Sequence, residues 1–113
     1  MDEGVKERIA DELFGYSHWA IELGHMPGEE GSLLNENIYD HLMKDIPQIS
    51  DKLAGANDVA QAEGILIDTL EELVREAADD AQVSPNEFDA GEFIANFAGA
   101  IAAVMDEEKL FAV

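Results

Sequence analysis

Apolar residues recur at intervals of three and four in four separate stretches of this chain, the period of an amphipathic helix. Over residues 3–23, Val5, Ile9, Leu13, Tyr16, Ala20 and Leu23 share one face, and Glu3, Glu7, Asp11 and Glu22 project from the other. Gly24 supplies a stop. Residues 25–31 hold two Gly and a Pro and show no periodicity, so they read as loop. Leu34, Ile38 and Leu42 mark a second helix over about 33–44. Pro47 has no N–H and its ring crowds the preceding turn, so it is expected to break or kink that helix. A short segment over 47–53 would follow, with Pro47 near its start and Gly55 as its stop. The third helix covers about 59–81. Asp58 and Gln61 stand at the N-cap and N3 spacing of a capping box. Val59, Leu66, Leu70, Leu73, Val74 and Ala77 form one stripe, and Asp68, Glu72, Glu76 and Asp79 form another on the opposite side.

The fourth helix follows Ser84-Pro85. Ser84 with Glu87, and Asp89 with Glu92, both have capping-box spacing, which leaves the start open by one turn. The body runs to about Met105. Phe93, Phe97, Ile101 and Val104 make a bulky face, and Ala95, Gly99, Ala102 and Ala103 make the reverse face. Neither face carries charge, so this helix is expected to be buried on most sides, as the central helix of a bundle or a subunit interface. No stretch combines alternation with β-branched enrichment, and no strand is expected. The expected fold is therefore all-α, a compact bundle of four to five helices forming a single domain over residues 1–113. A core of this size needs no metal or disulfide.

Charge narrows the function. The chain holds 26 Asp and Glu against 6 Lys and Arg, a formal net charge of −20. Hydrophobic residues reach 47%, in regular patterns, which excludes a disordered acidic tail. Direct nucleic-acid binding needs clustered cations, and so does an anionic membrane surface; neither is expected. Cysteine is absent, so thiolate zinc sites and disulfides are excluded. Met1 to Gly4 carries no secretory pattern. The longest apolar run, Phe93 to Met105, is too short to span a bilayer. A cytoplasmic location is the expectation.

Catalytic motifs are missing. His18, His25 and His41 show no H-E-x-x-H spacing, and Ser17, Ser32, Ser50 and Ser84 sit in no nucleophile elbow. No phosphate-cradling glycine loop and no calcium loop occurs. Acidic pairs are too numerous for pairing to mark a general acid and base. No catalytic residue, metal or cofactor is expected. Gly31-Ser32-Leu33-Leu34 stands at a loop-to-helix position. Acyl carrier proteins are similar in size, charge and helix count, and that resemblance would imply phosphopantetheine on Ser32. The Asp that precedes the serine in their motif is missing here.

The charge has bland explanations in solubility and in adaptation to high salt, although two Arg and one Thr match the latter poorly. The functional alternative is that carboxylates imitate a polyanion. Acids at i and i+4 advance about 6 Å along a helix, and two base-pair steps advance about 7 Å. Glu3, Glu7 and Asp11 use this spacing, as do Asp68, Glu72 and Glu76, with Asp79 extending the second set. Like charges so placed cost a few tenths of a kcal/mol per pair. Specificity would need apolar anchors. Phe14, His18 and Ile21 lie on the acidic side of the first helix with Trp19 at its flank. The alternative is that these residues pack against a neighbouring helix.

In size, charge and helix content the whole chain resembles the small acidic all-helical proteins that phages and mobile elements use against host nucleases. These include DNA-mimic anti-restriction proteins and anti-CRISPR proteins. No motif carries the resemblance, so no residue role transfers. It implies a non-enzymatic inhibitor of a basic, nucleic-acid-binding host-defence or nuclease protein, acting in the host cytoplasm. Small immunity proteins that neutralise toxic nucleases are similar in the same way. The alternative is a structural, assembly or chaperone-like module. That reading draws on the uncharged fourth helix and the apolar tail Leu110-Phe111-Ala112-Val113. Homodimerisation through Ala95, Gly99 and Ala103 is a candidate.

Overall fold

The structure, a computed structural model, describes residues 3–22, 32–84 and 90–107, apart from the side chains of Glu3 and Ile21. Four helices cover these segments: α1 (Glu3–Glu22), α2 (Leu33–Ala54), α3 (Val59–Asp80) and α4 (Gly91–Glu107). No strand occurs among the described residues. The predicted Gly24 stop, the loop over 25–31 and the tail from Leu110 lie outside them.

The helices form a ring in chain order. α1 packs on α2, α2 on α3 and α3 on α4, and α4 closes less extensively on α1. Lys6 Nζ meets Asp51 at 3.0 Å and the His18 ring meets Tyr39, which sets α1 antiparallel to α2. A four-residue turn joins the end of α2 to the start of α3, and Asp80, the last residue of α3, returns to His41 in the first half of α2 at 3.0 Å, which sets α3 antiparallel to α2. The bundle measures 42 × 21 × 21 Å. Its axis is filled by Ile9 and Leu13 of α1, Ile38, Leu42, Ile49 and Leu53 of α2, Leu66 and Leu70 of α3, and Phe97, Ile101 and Met105 of α4. Each contributes about 1.5–3 kcal/mol by leaving water.

The expected break at Pro47 does not occur, so the segment over 47–53 is not a separate helix, and the described residues hold four helices. α2 runs unbroken through Pro47. Ile38, Leu42, Ile46, Ile49 and Leu53 continue one buried stripe on both sides of the proline, while Pro47 itself is exposed. The missing hydrogen bond and ring clash cost about 3 kcal/mol. Burial of Ile49 and Leu53 beyond the proline, about 1.5–3 kcal/mol each, offsets that cost. Gly55 does end the helix. Its φ of −88° is right-handed, so the stop does not use glycine's conformational freedom.

The helix ends follow capping chemistry. The Gln61 N–H donates to Asp58 Oδ1 at 2.8 Å. Gln61 Oε1 accepts from the Asn57 N–H at 2.9 Å, one residue ahead of the usual reciprocal partner. α3 ends in a Schellman turn: the Gln82 N–H donates to the Asp79 carbonyl at 3.0 Å and the Val83 N–H to the Ala78 carbonyl at 2.9 Å. Gln82 takes the left-handed conformation this turn requires, with φ 58°.

α4 departs from expectation in its surroundings. It starts at Gly91; both candidate capping pairs include residues, Glu87 and Asp89, that lie outside the described segments. Phe93, Ile94, Phe97, Ala98, Ile101, Ala102 and Met105 are buried, whereas Ala95, Asn96 and Ala103 are exposed. Ala102, expected on the reverse face, belongs to the core, and Val104, expected with the bulky face, is only half-buried. The helix is not central. Its bulky residues point inward against α3 and α1 with Ala98 and Ala102 between them, and Ala95 and Ala103, which would gain little from burial, stay outside.

Candidate protein-binding surface

No Asp or Glu side chain among the described residues is buried; each is exposed or half-buried. An isolated buried carboxylate would cost far more than a bundle of this size could offset. The charge therefore sits on the outer faces of the helices, and what varies is its placement.

On α3, Asp68, Glu72, Glu76 and Asp79 are all exposed along one strip, joined by exposed Glu71. The strip is not purely acidic. Arg75 follows Asp68 by two helical turns, so it lies within the same strip, and it too is exposed. Glu72 and Glu76 form one wall of a groove of about 220 Å³ between α3 and α2. Asp45, Gln48 and Lys52 form the α2 wall, with Thr69, Ile49 and Leu73 completing the lining.

On α1, Glu7 and Asp11 are exposed. Glu3 occupies the first helical position, and its side chain is outside the described set. α1 and α3 each adjoin α2 and α4, so they stand across the bundle from one another. The α1 and α3 acids therefore do not merge directly. The outer face of α2 lies between them, carrying exposed Glu36, Asp40 and Asp51 with Lys44. α4 differs: between Glu92 and Asp106 it carries no charged residue.

The candidate anchors separate. Phe14 is 51% exposed and Trp19 44% exposed. Five residues correspond to about 140° around a helix. Phe14 lies on the α2 side, its ring edge-on to His18 at 4.5 Å, and His18 meets Tyr39 of α2 at 5.3 Å. Tyr39 Oη lies 2.9 Å from His18 Nε2. Trp19 lies on the α4 side against Tyr16 at 5.0 Å, and Tyr16 is edge-on to Phe97 at 4.8 Å. Burial raises the Tyr16 phenol above the ordinary tyrosine pKa. Ile21 lies in α1, with its side chain outside the described set. Sequence reasoning missed Tyr39 and the exposed Leu33, 58% open, because both lie off the Leu34-Ile38-Leu42 stripe.

Other chemistry is sparse. No group of three or more metal-binding side chains occurs among the described residues, and no described helix is long and apolar enough to cross a membrane. The Ser32 hydroxyl accepts the Asn35 N–H at 3.2 Å and caps α2. Ala95 and Ala103 are exposed and Gly99 half-buried, and a Cβ added at Gly99 would meet nothing within 4 Å. Close approach of helices within the chain does not explain that glycine. No protein-family model, curated protein or solved structure matches the chain.

Proposed function

We propose that this protein is a non-enzymatic inhibitor whose acidic helical faces occupy the basic, nucleic-acid-binding surface of a partner protein, in the manner of inhibitors that phages and mobile elements direct at host nucleases. The uneven charge carries this reading. Carboxylates in i,i+4 register line the outer faces of α1, α2 and α3, while the α4 outer face has none over three turns. Solubility alone asks for no such asymmetry. From Asp68 to Asp79 the α3 strip extends about 16 Å, the length of about five base-pair steps. Arg and Lys that otherwise hold phosphates would pair with Asp68, Glu72, Glu76 and Asp79, and with Glu3, Glu7 and Asp11 in a second contact. Electrostatic steering would speed the encounter and make it sensitive to salt.

The test is a triple charge reversal, Asp68→Lys, Glu72→Lys and Glu76→Lys, measured against the partner captured from a host lysate. Binding should be lost while circular dichroism shows the helices intact, and wild-type affinity should fall steeply as salt rises. Unchanged affinity in the triple variant rejects the reading. The uncharged outer face of α4 favours one rival, an assembly module or homodimer associating through Ala95, Gly99 and Ala103. That association would be apolar and would survive high salt.

A further inference from the structure

Phe14 combines exposure with support. Half of its surface is open, yet its ring rests edge-on against His18 at 4.5 Å and 65°. His18 is itself held by Tyr39, whose hydroxyl lies 2.9 Å from Nε2 and whose ring packs at 68°. An exposed phenyl ring braced from a second helix retains little rotamer freedom, so a ligand that stacks on it pays little ordering entropy. Asp11 lies three residues before Phe14 and Glu7 seven before, both exposed and both on the same side of α1. On α2, exposed Glu36 and Asp40 flank Tyr39 in sequence.

We infer that this edge of α1 is an arginine-binding surface: a guanidinium from the partner stacks on the Phe14 ring and donates its N–H groups to Asp11, with Glu7 adding charge behind it. The inference rests on the proposed basic partner and specifies which cation it presents. Arginine fits and lysine does not, because a planar guanidinium can lie on an aromatic face and still donate two parallel hydrogen bonds to one carboxylate. A lysine ammonium, compact and strongly hydrated, gains the carboxylate attraction but little from the ring. Trp19 is the control aromatic, comparably exposed but on the α4 side of the helix and already packed on Tyr16.

The experiment is calorimetric titration of the whole chain with capped hexa-arginine and capped hexa-lysine at low salt. Wild type should prefer the arginine peptide. Phe14→Leu should weaken hexa-arginine binding about two- to fivefold, the range for a cation–π contact at an exposed site, and leave hexa-lysine unchanged. Phe14→Tyr should keep the preference, and Trp19→Leu should leave both affinities as they are. An arginine-to-lysine ratio unmoved by Phe14→Leu, or lowered equally by Trp19→Leu, overturns the inference; the basic-partner reading then stands if both peptides bind and the α3 triple reversal removes them. Failure of both peptides to bind wild type overturns both readings.

Discussion

α3 and α4 pack against each other with similar apolar stripes, yet they present opposite outer faces. The α3 face carries Asp68, Glu71, Glu72, Glu76 and Asp79 around a single Arg75. The α4 face carries Ala95, Asn96, Gly99 and Ala103 over a comparable length. Folding demands neither. Both helices are held by their inner residues, so either outer face could have been mixed and polar at no loss to the core. α3 instead repeats like charges at i,i+4, which costs a few tenths of a kcal/mol per pair. α4 exposes small apolar residues and a mid-helix glycine. The contrast teaches that stability and surface chemistry are assigned to different sides of the same helices, and that the outer sides are where function is to be sought.

The largest expected effect tests that division. Leu70→Ala on the inner side of α3 should cost about 2–5 kcal/mol and Phe97→Ala on the inner side of α4 about 3–5 kcal/mol, measured by urea denaturation. Glu71→Gln and Asn96→Gln on the outer sides should stay within about 0.5 kcal/mol of wild type. An outer substitution that destabilises as much as an inner one would show that the outer faces are structural after all.

A smaller effect sharpens the α4 side. Gly99→Ala meets no steric obstacle, since a Cβ there has nothing within 4 Å. Alanine should raise stability by about 0.5–1 kcal/mol through the entropy a glycine loses on folding. That gain should be independent of protein concentration, with a monomer mass by light scattering. A concentration-dependent urea midpoint, lowered by Gly99→Ala, would instead place a second copy on this face.

The comparison also shows what was legible in the residues. Three- and four-residue spacing located all four helices, because burial of Leu, Ile and Phe on one side is the dominant energy and is written locally. The Asp58–Gln61 cap was legible for the same reason: its hydrogen bonds join residues three and four apart. Pro47 misled because its local cost is visible in sequence, while the compensating burial of Ile49 and Leu53 depends on neighbouring helices. The turn at Gln82 was missed because a non-glycine residue occupies the left-handed position. At the candidate surface, exposure of Asp68, Glu72, Glu76 and Asp79 followed from their position opposite the stripe. Arg75 within that strip was equally readable from its spacing. The bracing of Phe14 by Tyr39 was not, because residues 14 and 39 meet only when α1 packs on α2.

The smallest effect lies at the seam between the charged and uncharged regions. Tyr16 leaves acidic α1 and sets its ring against Phe97 of α4 at 4.8 Å. Burial disfavours the phenolate, so the folded-state pKa lies above the unfolded value, close to 10.0. The sign follows from proton linkage. Below pH 10 the phenol is protonated in both states and the shift has no effect on the pH dependence. Above it the unfolded chain releases the proton first, so stability falls until the folded phenol also ionises. Urea midpoints of wild type and Tyr16→Phe should therefore run parallel from neutral pH to about 9 and then diverge, with wild type losing stability faster. The gap should be small, because the ring is only half-buried. Curves that stay parallel through pH 11 would mean that Tyr16 is as well hydrated as the acids on the rest of its helix, and that the boundary between α1 and α4 is open to water.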